Sequence, residues 1–118
     1  MRPFFKLLIS DAARSVAFYE ALGFERLGAE PPFVQLTWAG QVDVYLVTPP
    51  AAVKLEGRRG LGVLLGFRAD SVGGVDEVLL RAQTQGAVVE GPAVQPWYTR
   101  ELIITDPDGY RLNFIEPA

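Results

Sequence analysis

The chain contains neither histidine nor cysteine, and this limits the chemistry that its side chains can perform. Without cysteine there is no disulfide, no thiolate nucleophile and no cysteine-bound zinc. The candidate general bases that remain are the carboxylates of Asp43, Glu101 and Glu116. Strand alternation places Glu116 on the face opposite Asn113, so we interpret Glu116 as a strand-end charge near the surface. Asp43 shares a face with Tyr45, two residues away.

An asparagine, Asn113, lies in the last strand-like segment, four residues after the glycine of the turn DPDG (106–109). Proline sets φ in this turn, and glycine tolerates positive φ. Arg111 has the same strand parity as Asn113, so both side chains should face one side of a sheet. Magnesium, manganese and iron prefer charged oxygen or imidazole ligands to a neutral amide. We therefore interpret Asn113 as an oriented polar group.

Length and composition indicate one globular domain without a nucleic-acid or membrane signature. The chain has 118 residues, 49% of them hydrophobic, which suits a single domain with its own core. Its 11 basic and 14 acidic residues give a net charge of −3, and the basic residues are scattered instead of forming a stripe. No apolar run reaches about 18 residues, so no membrane-spanning helix is expected. Because the absence of cysteine is compatible with the cytosol, we expect a cytoplasmic protein.

Two helices are predicted from capping and stop signals. Asp11 can cap a helix over about 12–22, and Gly23 stands where that helix should stop. Asp70 or Ser71 can cap a second helix that runs to about residue 85. In both segments apolar residues recur at helical spacing, which predicts a buried face on each helix.

Strand-like segments surround both helices in the same order, so the pattern occurs twice. The sequence therefore predicts two β-α-β-β-β units in a single domain, 1–118. We place the units at about 1–50 and 61–118, with a Pro- and Gly-rich connector at about 49–60. The predicted strands are 4–10, 24–29, 33–39, 42–48, 61–69, 87–91, 100–105 and 110–116.

Three stretches resemble the vicinal oxygen chelate superfamily, which includes glyoxalase I, extradiol dioxygenases and bleomycin-resistance proteins. They are ISDAARSVAFYEALGF (9–24), LGFRADSVGGVDEVLLRAQTQGA (65–87) and WYTRELIITDPDGYRLNFIEP (97–117). The tryptophan followed by TRE before DPDG is similar to the bleomycin-resistance-like branch. The resemblance implies an α+β fold in which two βαβββ modules form curled mixed sheets with a concave cavity.

The resemblance also implies where a metal would be held. Metal-binding members use His, Gln and Glu side chains from four strands, and the corresponding positions here are Phe4, Tyr45, Leu64 and Asn113. Phenylalanine and leucine cannot coordinate a cation, and Asn113 stands where a metal-binding relative has glutamate. One amide and one phenol do not make a competent site. We therefore expect no metal and no cofactor.

The candidate ligand-binding residues are mainly aromatic, which suits a site that uses ring stacking and apolar burial. Phe33 and Trp38 have opposite parity on one strand, so only one can face the cavity, and we favour Trp38. Core or dimer-interface packing is an equal alternative for Phe4 and Phe33. The complete candidate set is Phe4, Phe33, Trp38, Tyr45, Trp97, Tyr98, Arg111 and Asn113.

The other residues near the end of the chain have two interpretations each. Trp97 and Tyr98 are adjacent aromatics in a loop, where functional residues are common, so we favour a site over core packing. Arg111 either hydrogen-bonds a ligand or forms a surface salt bridge. Arg100 and Glu101 either belong to the family-like TRE motif or simply pair with each other at the start of a strand.

The main functional hypothesis is a metal-free protein that binds an aromatic or cationic small molecule, resembling antibiotic-sequestering bleomycin-resistance proteins. The resemblance implies a homodimer with the ligand between subunits, and some relatives exchange the first strand. One alternative is a metal-free isomerase, epimerase or lyase of the same superfamily. A third hypothesis is a module that dimerises and binds nothing.

Overall fold

Each half of the chain folds into four strands and one α-helix in the computed structural model, which describes residues 1–57 and 59–118. The described residues divide into two units, Met1–Gly57 and the residues from 59 onward. Among the helices described, none is both long enough and apolar enough to cross a membrane. The predicted α+β architecture of two βαβββ modules is confirmed, whereas the single-domain assignment stays a prediction.

The first unit is a mixed sheet with strand order β1-β4-β3-β2 and one helix, α1. Strands β1 and β4 are parallel, and the other neighbours are antiparallel. Asp11 caps α1 by accepting a hydrogen bond from the Arg14 backbone nitrogen at 3.0 Å, and Gly23 ends the helix at φ 113°. Because positive φ suits glycine, both predicted helix signals are confirmed. The elements are β1 Phe4–Leu8, α1 Ala12–Leu22, β2 Glu25–Glu30, β3 Phe33–Trp38 and β4 Val42–Val47.

The core of the first unit lies between α1 and one face of its sheet. Tyr19 of α1 and Trp38 of β3 have no exposed surface. Phe24 packs edge-on against Tyr19, with ring centroids 5.1 Å apart, and lies 4.7 Å from Trp38. The alternate residues of β3 and β4 complete this face, and they include Leu36, Val44 and Leu46.

The second unit repeats this topology with strand order β5-β8-β7-β6, and β5 is parallel to β8. Its core lies between α2 and the alternate residues of β7 and β8, where Leu102, Ile104, Leu112 and Phe114 have no exposed surface. Phe67 of β5 stacks on Phe114 at 5.4 Å. The elements are β5 Leu65–Arg68, α2 Val75–Thr84, β6 Val88–Val94, β7 Thr99–Thr105 and β8 Arg111–Pro117.

The predicted start of the second helix is wrong. Asp70 and Ser71 belong to a short 3-10 turn, Asp70–Val72, and two glycines with φ of 101° and 92° separate that turn from α2. The helix begins at Val75, whose backbone nitrogen donates to the carboxylate of Glu116. A side chain distant in the sequence therefore caps α2.

Candidate ligand-binding site

Each sheet has a second face, opposite its helix, which we call the distal face. On the first sheet, register places Phe4 beside Asp43, Lys6 beside Tyr45 and Leu8 beside Val47. The same rows continue on β3 through the pairs Phe33 with Val47 and Gln35 with Tyr45. Because side chains alternate along a strand, all of these residues share the distal face. The sequence prediction that Tyr45 and Asp43 share a face is confirmed.

Three aromatic rings form a cluster on the first distal face. Tyr45 contacts Phe4 with ring centroids 5.5 Å apart and an interplanar angle of 81°. Tyr45 also contacts Phe33 at 5.7 Å and 64°. Both are edge-to-face contacts, the geometry that aromatic pairs favour. The rings line a pocket of about 420 Å³ together with Met1, Lys6, Leu8 and Val47.

An ion pair between the buried Asp43 and the more exposed Arg2 lies beside this cluster. Asp43 is 6% exposed, and Arg2 donates to its Oδ1 at 2.9 Å while Gln35 donates to its Oδ2 at 3.2 Å. Burial alone raises the pKa of Asp43, but hydrogen bonds from Arg2, Thr37 and Gln35 outweigh it and hold the pKa below its usual value. Asp43 is therefore a stable anion whose negative charge is already compensated by Arg2.

The preference for Trp38 over Phe33 on the cavity side is wrong. Trp38 lies in the core against Phe24, and Phe33 lies on the distal face against Tyr45. The alternation of apolar and polar residues along β3 indicates this arrangement. Val34, Leu36 and Trp38 form one wholly apolar row, while the row that contains Phe33 includes glutamine and threonine.

On the second distal face, Asn113 is bound to a carboxylate. Its Nδ2 donates to Glu101 Oε1 at 3.0 Å, from β8 to the neighbouring strand β7. Asn113 Oδ1 is buried and accepts no hydrogen bond from any described residue. In β5, Gly66 is the register partner of Asn113. Within the described chain, a methyl group added to Gly66 would contact no atom within 4 Å, so there is space beside Asn113.

Glu101 is the centre of a small polar network that the sequence analysis did not identify. Its Oε2 accepts a hydrogen bond from the Thr99 hydroxyl and another from Trp97 Nε1 at 2.8 Å. The bond from Thr99 contributes most to holding the pKa of Glu101 below its usual value, against the effect of burial, with further contributions from Asn113 and Trp97. Strand parity was the signal for this network, since Glu101 and Thr99 alternate with the buried row of β7.

The aromatic loop between β6 and β7 is exposed. Trp97 is 64% exposed although its indole nitrogen is hydrogen-bonded, and Tyr98 is 79% exposed. Tyr98 has a φ of 66°, a conformation that is uncommon outside glycine. Its backbone nitrogen donates to Gln95 at 2.9 Å. Neither ring belongs to the core, as the sequence analysis expected.

The charged residues around this face differ partly from expectation. Arg111 donates to both carboxylate oxygens of Glu90 at 2.8 Å, which is the surface salt bridge left open as an alternative. Of the two interpretations left open for Arg100, the pairing with Glu101 is not the one observed, since Arg100 donates to Asp76 at 2.8 Å on the helix side. Glu116 also lies on the helix side, away from Asn113, as its parity predicted.

The residues at the family's metal positions do not fit a divalent cation. Phe4 and Tyr45 belong to the aromatic cluster, and Asn113 has its amide nitrogen directed at Glu101. Leu64 is an exposed apolar side chain. No group of three His, Cys, Asp or Glu side chains arranged to hold a metal occurs in the described parts of the chain. The donor chemistry favours organic ligands over a metal ion.

Comparison with known protein families agrees with the fold of two βαβββ units. The model of the Glyoxalase/Bleomycin resistance protein/Dioxygenase superfamily matches residues 3–114. The chain belongs to this superfamily. The family resemblance inferred from the three sequence stretches is thus confirmed. A search of curated proteins finds no match.

Several solved structures share the fold along nearly the whole chain. A glyoxalase/bleomycin resistance protein from Streptomyces sp. CB03234 is 26% identical, with 98% of this chain and 100% of that chain covered and a TM-score of 0.77. The antibiotic-binding protein TnmS3 from the same organism is 27% identical, with 100% and 96% covered and a TM-score of 0.75. A bleomycin-binding protein solved with bleomycin is 21% identical, with 100% and 98% covered and a TM-score of 0.70.

Within this superfamily member, the predicted site residues fall into three groups. Phe4, Phe33 and Tyr45 meet on the first distal face. Asn113 and Arg111 lie on the second distal face, Trp97 is joined to Asn113 through Glu101, and Tyr98 follows Trp97 in the same exposed loop. Trp38 belongs to the core.

Proposed function

We propose that this chain is a metal-free small-molecule binding protein that sequesters an aromatic or cationic ligand in a cavity at a dimer interface. The observation that best supports the proposal is the pocket of about 420 Å³ around Phe4, Phe33 and Tyr45. Small-molecule sites are usually concave, mainly apolar and roughly 300–1,000 Å³ in volume. Each aromatic contact with a flat ligand contributes about 0.5–1.5 kcal/mol beyond the area it buries.

The ligand class is supported by the chemistry of the rings and by the relatives. Aromatic faces attract flat molecules through stacking and attract cations through the ring quadrupole. Two structural relatives are described as antibiotic-binding and bleomycin-binding proteins. A flat or positively charged antibiotic is therefore the first ligand to test.

The edge position of β1 supports the proposed homodimer. This strand pairs only with β4 among the described strands, and Phe4 and Leu8 are 45% and 38% exposed on its distal side. A second copy that covers these side chains, either by packing or by exchange of β1, would remove them from water. Burial of apolar surface stabilises an interface by about 25 cal/mol per Å².

The carboxylates on the distal faces favour binding over acid–base catalysis. A general base works best when its pKa is near the working pH. Hydrogen bonds instead hold the pKa values of Asp43 and Glu101 below their usual values. Both groups are consequently weak bases, and Glu116 is on the other side of its sheet.

Calorimetric titration with metal-free bleomycin tests the proposal. We expect saturable binding that weakens at least tenfold in Tyr45→Leu, because the central ring of the cluster is lost. Tyr110→Leu makes the same change at a half-buried position in the second unit and is the matched control. Equal affinity of the Tyr45→Leu variant and the control, or no saturation with the wild-type protein, would contradict the proposal.

A further inference from the structure

The amide group of Asn113 has only one orientation that agrees with its surroundings. Glu101 accepts hydrogen bonds from Asn113 at 3.0 Å and from Trp97 at 2.8 Å, and it also accepts from Thr99. An ionised carboxylate accepts hydrogen bonds but cannot donate them. The –NH₂ of Asn113 must therefore face Glu101, and a flipped amide would bring two acceptors together.

The fixed amide leaves Oδ1 of Asn113 directed away from β7. Asn113 lies between β7, which carries Glu101, and β5, which carries Gly66. The strand on the other side of β8 from β7 is β5. There, Gly66 is exposed, and a methyl group added to it meets no described atom within 4 Å.

A buried acceptor without a partner is unusual in a native protein. Most buried polar side-chain atoms have at least one hydrogen-bond partner, so each exception needs an explanation. Among the described residues, Asn113 Oδ1 is the one buried side-chain atom of this kind. The amide that carries it is held by a carboxylate, and its register neighbour on β5 is the exposed Gly66, which has no side chain to supply a donor.

We propose that Asn113 Oδ1 is the acceptor for an N–H or O–H group of a small molecule bound on the second distal face, and that Glu101 is the positioning residue that presents this oxygen. The inference rests on the proposed function and narrows it, because the ligand must then carry a hydrogen-bond donor next to its aromatic part. Trp97, held on the same carboxylate, offers an exposed ring for that aromatic part. An N–H borne on a cation suits the site best, since the ionised Glu101 is adjacent.

Two cations with the same ring test the donor requirement. The (2-naphthylmethyl)ammonium ion has three N–H donors, and its N,N,N-trimethyl derivative has none, while ring and charge are the same. Nuclear magnetic resonance titration of ¹⁵N-labelled protein measures both affinities, even in the millimolar range. We expect the wild-type protein to bind the primary ammonium about two- to twelvefold more tightly, the range for one net hydrogen bond.

Three variants separate the acceptor, its positioning residue and the space beside it. Asn113→Leu removes the acceptor and should abolish the preference for the primary ammonium. Glu101→Gln allows the Asn113 amide to flip, so the preference should fall even if stability is retained. Gly66→Val fills the space on β5 and should weaken binding of both cations without altering Asn113. Gln83→Leu on the exposed side of α2 makes a similar amide-to-leucine change and should leave the preference unaltered.

The outcomes distinguish this inference from the proposed function. Equal binding of both cations by the wild-type protein, or a preference that persists in Asn113→Leu, overturns the inference. Binding of neither cation while bleomycin still binds also overturns the inference alone. Binding of neither cation and no binding of bleomycin overturns the proposed function as well.

Discussion

Asn113 donates its side-chain Nδ2 to Glu101 Oε1 at 3.0 Å, so an amide and a carboxylate on neighbouring strands form one unit on the second distal face. In metal-binding members of the superfamily, the resemblance places a glutamate ligand at the position of Asn113. Here the carboxylate belongs to Glu101 on the adjacent strand, and it accepts hydrogen bonds from three donors. This arrangement orients a polar group for hydrogen bonding.

The stability contributed by Glu101 should depend on pH. Because its pKa is lower in the folded protein than the usual value of about 4.3, its contribution is present above about pH 4.3 and is lost as the pH falls through the folded pKa. We expect Glu101→Gln to lower the free energy of unfolding more at pH 7 than at pH 3. Urea unfolding at both pH values measures the difference.

Thr99→Val tests whether hydrogen bonding to Glu101 causes this pH dependence of stability. The hydroxyl of Thr99 makes the largest contribution to lowering the pKa of Glu101. Its removal should therefore leave a pH dependence that is smaller than that of the wild-type protein. A Thr99→Val variant with the full wild-type pH dependence would show that the carboxylate is not held in this way.

The two tryptophans should differ strongly in their effect on stability. Trp38 has no exposed surface and packs on Phe24 at 4.7 Å, whereas Trp97 is 64% exposed. We expect Trp38→Ala to lower the free energy of unfolding by about 3–5 kcal/mol, because it leaves a large cavity in the core. We expect Trp97→Ala to cost about 1 kcal/mol or less, corresponding to one exposed hydrogen bond. Similar losses in both variants, measured by urea unfolding, would contradict the core position of Trp38.

The pair of Arg2 and Asp43 should be more important for stability than an exposed ion pair. Arg2→Met leaves a carboxylate that is 6% exposed without its cation, and we expect a loss of about 1 kcal/mol or more. Arg26→Met is the control, since its pair with Glu20 is 47% and 40% exposed and should contribute less than about 0.5 kcal/mol. Losses of equal size would show that Asp43 is well hydrated without Arg2.

Much of the fold is predictable because its signals are local. An Asp cap and a stop glycine determine α1, and both are directly adjacent to the helix that they delimit. The start of α2 could not be found in this way, because its capping carboxylate is on Glu116, 41 residues from Val75. A distant cap becomes visible only when the sheet brings β8 next to the helix.

The candidate site was less predictable, because its side chains are organised by contacts between strands. Strand parity correctly grouped Arg111 with Asn113 and separated Glu116 from them. It did not show that Asn113 would meet Glu101, since that contact depends on the register between β7 and β8. Aromatic character does not separate Phe33 from Trp38, whereas the alternation along β3 does, because Trp38 continues the apolar row of Val34 and Leu36.

The central claim is that the protein binds its ligand without a metal, and calorimetry on chelator-dialysed protein tests it most directly. Metal-free bleomycin is titrated into this protein with EDTA present, and the titration is repeated on protein dialysed against Mn²⁺ or Zn²⁺ and then freed of unbound metal. We predict saturable binding with the same affinity in all cases and no stoichiometric metal in the purified protein. Binding that disappears with EDTA and returns only with a tightly held divalent ion would contradict the account.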